Sequence, residues 1–581
     1  MLITAVAEVL APLGLASPTL DVLTPDINNY SVLLVQPQGH IEASAAGVRN
    51  RDGERATDQF GQFLTRAHQI QVDLAITPEY SMPWGVLVAA IKAGTVPATG
   101  KIWALGCESI EYSRLEEIKQ ELAECAIVVF EHLESDPGRF MDPLAYVFVA
   151  QPTNGAPARI VVLVQFKTHP MGDADHFEIN GLQRGTQIYR FGPPGQGIGL
   201  ISLICSDVFD FLDHHAQAVY DRGLVVHIQL NAKPRHEQFR LYRDRLLRFQ
   251  GDMTEVICLN WAKNVCQWSG GQEKPWSNIA GSAWYIKSEK FDDRDATLCA
   301  NHRKGFYYTW LWPLRTHAMF FNYDPAMFVV QASKVAHIGV PAAVSRRRGP
   351  QLTNTLVWDE GGKAWVDQIA ARDGFDGVMA ESGSAKEELE RICHASPLAV
   401  ERVVALSAGR IASGESWYAV QSLDSCRIDA TEVIRRITFC QDTNEDATTF
   451  RIDHLKRCGY LLEILKDASK LPPSLEDLKD GVHFEWTAAS PHQNVISATG
   501  NRATAIYMGE GSSTAQIDKV SRRAAENLHR TSRDGRESLR AKQRLAVWFR
   551  QGDTIVLNDP NRYVKIDQTG DISEFDIGRE I

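Results

Sequence analysis

The sequence predicts an α/β protein: a layered sheet domain with interleaved helices, followed by a separate α+β region. Three observations carry that prediction. Apolar runs of strand length recur through the first 330 residues with helical patterns between several of them. The texture changes around residues 333–351, SKVAHIGVPAAVSRRRGPQ. The chain of 581 residues is roughly three to four times the ~150-residue domain prior, so more than one core is expected.

Taken in order, residues 1–29 read as an N-terminal extension ending in Pro-rich turns, and SVLLVQPQ (31–38) as the first buried strand. The helical stretch RATDQFGQFLTRAHQI follows, then the strand VDLAITPEY, whose end carries Glu79. The rhythm continues through KIWALGCES, CAIVVFEHL, YVFVAQPT, RIVVLVQFK, GIGLISLICSD, GLVVHIQLNAK, EVICLNWAKN and IAGSAWYIKS. These delimit a sheet domain over 30–332 and a linker over 333–351. An accessory α+β domain is expected over 352–581, opening with the hairpin-like TNTLVWDEGGKAWV and the helical runs SAKEELERICHAS and PLAVERVVALSAG. No internal repeat is visible.

Composition narrows function. At 44% hydrophobic and 23% charged residues the chain is neither disordered nor a coiled coil. A net charge of −11 excludes general polyanion binding, so any nucleic-acid role must be local. Ten scattered cysteines without a CxxC pair predict a reduced, cytoplasmic protein. The apolar N-terminus lacks a basic n-region and carries Glu8, against a signal peptide, and no apolar run is long enough to span a membrane.

Three strand ends each terminate in one reactive residue: Glu79 after VDLAITP, Lys167 after RIVVLVQF and Cys205 after GIGLISLI. Carboxyl ends of strands in a layered sheet converge on one crevice, so a carboxylate, an amine and a thiol are expected to meet. That trio suits acyl transfer: the thiol attacks, the carboxylate moves the proton, and the ammonium stabilises the oxyanion. Cys205 precedes SDVFDFLDHHAQAVY, read as a helix with Ser206 or Asp207 near its N-cap, whose dipole, with a nearby lysine, would lower the thiol pKa.

With these residues in place, the chain resembles the nitrilase, or carbon–nitrogen hydrolase, superfamily over roughly 30–330. VLLVQPQ resembles the first strand with its glutamine, Gln36; TPEYSMP, FKTHP and LICSDVF resemble the glutamate, lysine and cysteine motifs. HFEINGLQRG resembles the second-glutamate segment and places Glu178 as the residue that positions lysine and substrate. HIQLNAKP, VICLNWAKN and IAGSAWYIK resemble later strands. The chain departs from the family's pattern at Ser206, where an aromatic residue is common.

The resemblance implies a four-layer α-β-β-α sandwich, a homodimer or higher oligomer, and a Cys thioester route with no metal or organic cofactor. The expected activity is hydrolysis of a non-peptide carbon–nitrogen bond, an amide foremost; nitrilase and N-acyltransferase chemistry use the same residues. A rival reading makes the fold a metabolite sensor or scaffold with its output through the C-terminal domain, which matches no associated module, including the ATP-dependent synthetase partner. Pocket loops are expected near Trp84, Asp173 to Phe177 and Trp284.

Other motifs carry less. HEQFR at His236 lacks the second histidine of a zinc site, and GTVPATGK has the wrong glycine spacing for a phosphate loop. His214 and His215 read as a solvated helix face with a pocket rim as the alternative, and Arg346 to Arg348 as a solvated linker. The basic stretch 519–550 reads as a charged helix, or as contact for an acidic or nucleic-acid partner.

Overall fold

The structure is a computed structural model that describes residues 1–134, 136–172, 177–193, 197–219, 221–248, 253–276, 281–287, 291–292, 294–311, 314–336, 347–368, 378–412, 416–423, 435–439 and 445–558. It is mixed α/β with several sheets. Two compact units divide the chain: the first lies within Met1–Ala371, the second within Arg372–Arg427 and Val433–Ile581.

The first unit holds two large sheets. A nine-stranded sheet runs Ala364–Asp367, Gln351–Asp359, Ala326–Ser333, Asn29–Gln36, Leu74–Met82, Ile102–Cys107, Pro143–Ala150, Arg159–Phe166 and Ala126–Phe130. An eight-stranded sheet runs Leu2–Ala5, Gln187–Phe191, Gly199–Ile204, Gly223–Ile228, Thr254–Leu259, Ala283–Lys287, Thr316–Phe321 and Phe306–Leu311. All ten expected strands of this domain form.

Burial explains why these segments read as unbroken apolar runs. Leu33 and Val35 pack in one cluster with Phe60, Phe63 and Leu64 of the helix Gly53–Gln69, while the intervening Val32 and Leu34 are buried on the opposite face. A strand covered on both faces loses the polar alternation of a half-exposed one. The helix starts where the Asp52 carboxylate accepts from Arg55 N, an N-cap that satisfies an otherwise orphaned donor. The strand Leu74–Met82 touches this helix and also Gly223–Ile228 and Thr254–Leu259 of the other sheet, and the helix Glu237–Arg248 packs on Thr254–Leu259.

Two boundaries need correction. Residues 1–29 are not an extension: Leu2–Ala5 pairs in parallel with Gln187–Phe191 and forms the edge of the eight-stranded sheet. The accessory unit does not start at 352, because the hairpin Gln351–Asp359/Ala364–Asp367 continues the nine-stranded sheet through Ala326–Ser333. Of the expected linker, residues 337–346 lie outside the described residues, and Arg347–Arg348 pairs with Phe291–Asp292.

A four-stranded sheet with no counterpart in the sequence reading joins Gln272–Pro275, Cys266–Ser269, His40–Ser44 and Gly47–Asn50. The second unit contains a five-stranded sheet, Val482–Phe484, Val495–Ser497, Arg502–Tyr507, Leu545–Gln551 and Thr554–Asn558, with the expected helices Lys386–Ala395 and Pro397–Ser407 and an unforeseen one, Glu445–Lys466. Within the basic stretch, the helix Thr514–Arg530 buries Ile517, Val520, Ala524 and Leu528, and Arg544 pairs with Asp477 at 2.9 Å. Among the described residues no helix is long and apolar enough to cross a membrane.

Candidate active site

Strand ends bring the reactive residues together. Glu79 lies near the end of Leu74–Met82, Lys167 directly follows Arg159–Phe166, and Cys205 directly follows Gly199–Ile204. Glu178 sits on the short helix Phe177–Gly181. The Lys167 ammonium donates to Glu79 Oε1 at 2.6 Å and to Glu178 Oε1 at 2.8 Å, and Asp142 Oδ2 lies 3.4 Å away. All of these side chains are buried.

The surrounding donors fix each carboxylate. Glu178 also accepts from the Tyr80 hydroxyl at 2.9 Å and from Met171 N at 2.6 Å. Glu79 accepts from Leu230 N through its second oxygen, and its main-chain carbonyl accepts from Trp261 Nε1 at 2.8 Å. Gly185 lets the chain pass over the lysine strand end. Its N–H donates to the Lys167 carbonyl at 2.9 Å, and a Cβ there would lie 2.8 Å from the Phe166 carbonyl oxygen.

Cys205 takes φ +40°, and Tyr80, beside Glu79, takes φ +58°. A non-glycine residue in this region costs about 1–3 kcal/mol and persists only where its surroundings enforce it. Here the enforcement is visible. His227 Nε2 meets the Cys205 carbonyl at 3.0 Å, while its Nδ1 meets the Tyr242 hydroxyl at 2.7 Å. Burial pulls His227 down to about 3, so the neutral imidazole donates from Nε2 and accepts at Nδ1.

Asp207 secures the other side of the turn. Its carboxylate accepts from Ile204 N at 3.0 Å, Thr168 N at 2.7 Å, the Thr168 hydroxyl at 2.8 Å and His169 N at 3.2 Å. One buried side chain thus clamps the thiol turn to the residues after Lys167. Ser206 donates its hydroxyl to the His169 carbonyl at 2.6 Å, a tie that an aromatic residue could not make.

Two expectations about the thiol are corrected. The segment after Gly199–Ile204 is a short 3-10 turn, Cys205–Phe209, and the α-helix begins only at Asp213, so no long helix dipole faces the sulfur. Nor is the thiol pKa lowered. Burial pushes it well above the usual range, and Glu79 adds to that while Lys167 opposes it. Burial also raises Glu79, against the pull of Lys167. For Lys167 burial acts downward, but Glu178 and Glu79 outweigh it and the amine stays protonated. The resting site is a neutral thiol beside an ammonium held by carboxyls.

Cys205 and Glu178 open onto a cavity of about 370 Å³. Its walls are largely apolar: Ile41, Ala43 and Val48 come from the four-stranded sheet, with Phe177, Phe239 and Trp276 around them. Lys233, Asn231 and His236 add polar groups. Of the expected pocket residues Phe177 lines the cavity and residues 173–176 lie outside the described residues. Trp84 and Trp284 are instead tied into the core, Trp84 to the Glu108 carbonyl at 2.9 Å and Trp284 to the Glu255 carboxylate. His215 turns away, toward the Met1 carbonyl at 3.2 Å, and Gln36 holds the Asn322 carbonyl at 2.7 Å.

No family model matches the chain, and no curated protein sequence matches it. Solved structures do. An amidase from Nesterenkonia sp. is 14% identical, covering 55% of this chain and 96% of its own, with a TM-score of 0.30. A variant of that amidase is described as belonging to the nitrilase superfamily. A CN-hydrolase superfamily protein from Xanthomonas campestris is 14% identical, covering 44% of this chain and 83% of its own, with a TM-score of 0.27. A glutamine-dependent NAD+ synthetase from Acinetobacter baumannii is 12% identical, covering 62% of this chain and 52% of its own, with a TM-score of 0.29.

Sequence reasoning gave no place at the site to Asp142, Tyr80 or His227, which contact Lys167, Glu178 and the Cys205 carbonyl, and it read Asp207 only as a residue near a helix N-cap. Asp207 carried a signal, two residues after the thiol; Asp142, in MDPLAYVFV, carried none. Oxygens of Glu79, Asp142 and Glu178 lie within 4.8 Å of one another, a spacing that suits a cation, and the Lys167 ammonium already contacts all three.

Proposed function

We propose that the first unit is a thiol hydrolase that cleaves a non-peptide carbon–nitrogen bond, an amide foremost, through a thioester on Cys205. One observation carries this reading: the thiol lies in a strained turn at the cavity and feels the charges of Glu79, Lys167 and Glu178. The two large sheets, with helices packed on each, fit the four-layer α-β-β-α sandwich that the resemblance implies.

In the proposed reaction Glu79 takes the Cys205 proton as sulfur bonds to the carbonyl carbon, and the Lys167 ammonium faces the developing oxyanion. Because the resting thiol is neutral, base and nucleophile act together rather than through a standing thiolate. Glu79 then returns the proton to the departing nitrogen as the carbon–nitrogen bond breaks. Water attacks the thioester as Glu79 accepts its proton; the carbon–sulfur bond then breaks, Glu79 passes that proton to the Cys205 sulfur, and the carboxylic acid leaves. Glu178 orients the amine.

The apolar walls favour an apolar acyl group. Each buried methylene is worth about 0.8 kcal/mol, so kcat/KM should climb roughly fourfold per added carbon from acetamide until the cavity is filled. Ammonia release by the full chain across straight-chain primary amides tests this. The reading requires that release be lost in Cys205→Ala; turnover surviving that change would overturn it.

A further inference from the structure

Asp142 is the carboxyl in this cluster that the reaction above does not use. It stands just before the strand Pro143–Ala150, where Pro143 pairs with Phe166, so the antiparallel register puts it opposite Lys167, and its carbonyl accepts from Lys167 N at 2.9 Å. Its side chain is 0% exposed. Among the described residues, Glu79, Glu178, Lys167, Tyr80, Cys107 and Cys205 are the titratable groups that interact with its charge.

Three carboxyls around one ammonium cannot all be ionised in a buried site, because two uncompensated negative charges would remain without water to solvate them. Counting donors shows which one keeps a proton. Glu178 accepts from Lys167, Tyr80 and Met171 N, and Glu79 accepts from Lys167 and Leu230 N. Those bonds stabilise the anions. Among the described residues neither oxygen of Asp142 has a hydrogen-bond donor, and the ammonium is farther from it, at 3.4 Å, than from the other two. A buried acceptor without a donor is costly as an anion and acceptable as a neutral acid.

We propose that Asp142 is a positioning residue that stays protonated at neutral pH and gives its hydroxyl hydrogen bond to Glu79, which keeps Glu79 ionised and oriented toward Cys205. Burial, with the neighbouring Glu79 charge, pushes Asp142 well above the usual carboxyl range, in agreement. The proton stays on Asp142 through the cycle; Glu79 alone exchanges one with the thiol. The proposal deepens the hydrolase reading and rests on it for its catalytic meaning, but its test does not need turnover.

The full chain, Asp142→Asn and Asp142→Ala are compared at neutral pH by the iodoacetamide alkylation rate of Cys205, read by peptide mass spectrometry, and by infrared difference spectra of carboxyl groups. The parent should show the carbonyl stretch of a protonated buried carboxyl, and Asp142→Asn should lack it. Asn, a neutral donor of the same shape, should alkylate within about threefold of the parent, whereas Ala, with no donor, should be slower by roughly tenfold or more. A parent without that band, or an Asn variant as impaired as Ala, overturns the proposal. Should no amide be cleaved, both readouts still decide the state of Asp142 while the hydrolase reading fails separately.

Discussion

Among the residues at the candidate site, Glu79 has the most demanding task in the proposed reaction, where one carboxylate must accept, return and again accept a proton. Glu79→Gln removes that capacity and should lower kcat by about 10²–10⁴-fold, measured as ammonia release under saturating amide. Asp207→Ala leaves Ile204 N, Thr168 N and His169 N without their shared acceptor. It should cost about 1–3 kcal/mol of stability in urea unfolding and slow Cys205 alkylation. A pH effect follows from Asp142. Its folded pKa lies above the ordinary 3.8, so the folded state holds a proton that the unfolded chain sheds, and stability is lost as pH rises from about 3.8 toward the folded value. Asp142→Asn has no such loss, so its melting temperature should gain on the parent as pH increases over that window; a constant difference would contradict the assignment.

How far single residues were legible depends on whether their role leaves a local mark. Glu79, Lys167 and Cys205 each end an apolar run, and Glu178 falls in a recognisable segment. Asp142 and His227 act across strands, and such a partner is set by register, which periodicity does not reveal. The thiol pKa was misjudged for a related reason: burial outweighs a neighbouring cation, and burial is a property of the folded chain.

Elements were more legible than residues where both faces of a strand are covered, as in VLLVQ and LISLI. They were less legible where a strand is short and mixed in composition, as in GVRN and in HIEAS, which pairs with GVRN on one side and on the other with Cys266–Ser269 from far along the chain. Strand spacing also bears on the placement of Glu79. Gly106 of Ile102–Cys107 lies against the bulged end of Leu74–Met82, where a Cβ would stand 2.2 Å from the Pro78 carbonyl oxygen and 2.9 Å from Glu79 Cα. Both contacts are backbone and cannot rotate away. Gly106→Ala should therefore cost about 1–3 kcal/mol and displace Glu79, lowering both melting temperature and alkylation of Cys205. An Ala variant that matched the parent in both would show that the glycine is not needed there.

At the scale of the whole molecule, each unit has its own buried clusters. In the first, Phe60, Trp103 and Val162 share one; in the second, Leu389, Leu461 and Trp548 share another. Separate cores predict two transitions in calorimetry of the full chain, with carbamidomethylation of Cys205 moving one and leaving the other within about a degree. The sequence reading placed the boundary between units too early because a linker-like composition over 333–351 precedes strands that return to the first sheet.

The central claim, that Cys205 forms a thioester with an amide substrate, is tested most directly by acid quenching during turnover of a primary amide, followed by mass spectrometry of the cysteine peptides. The account predicts an acyl adduct on Cys205 alone, lost on treatment with hydroxylamine and absent from Cys205→Ala. Ammonia release without any adduct in Cys205→Ala, or acylation spread over the other cysteines at equal rates, would contradict it.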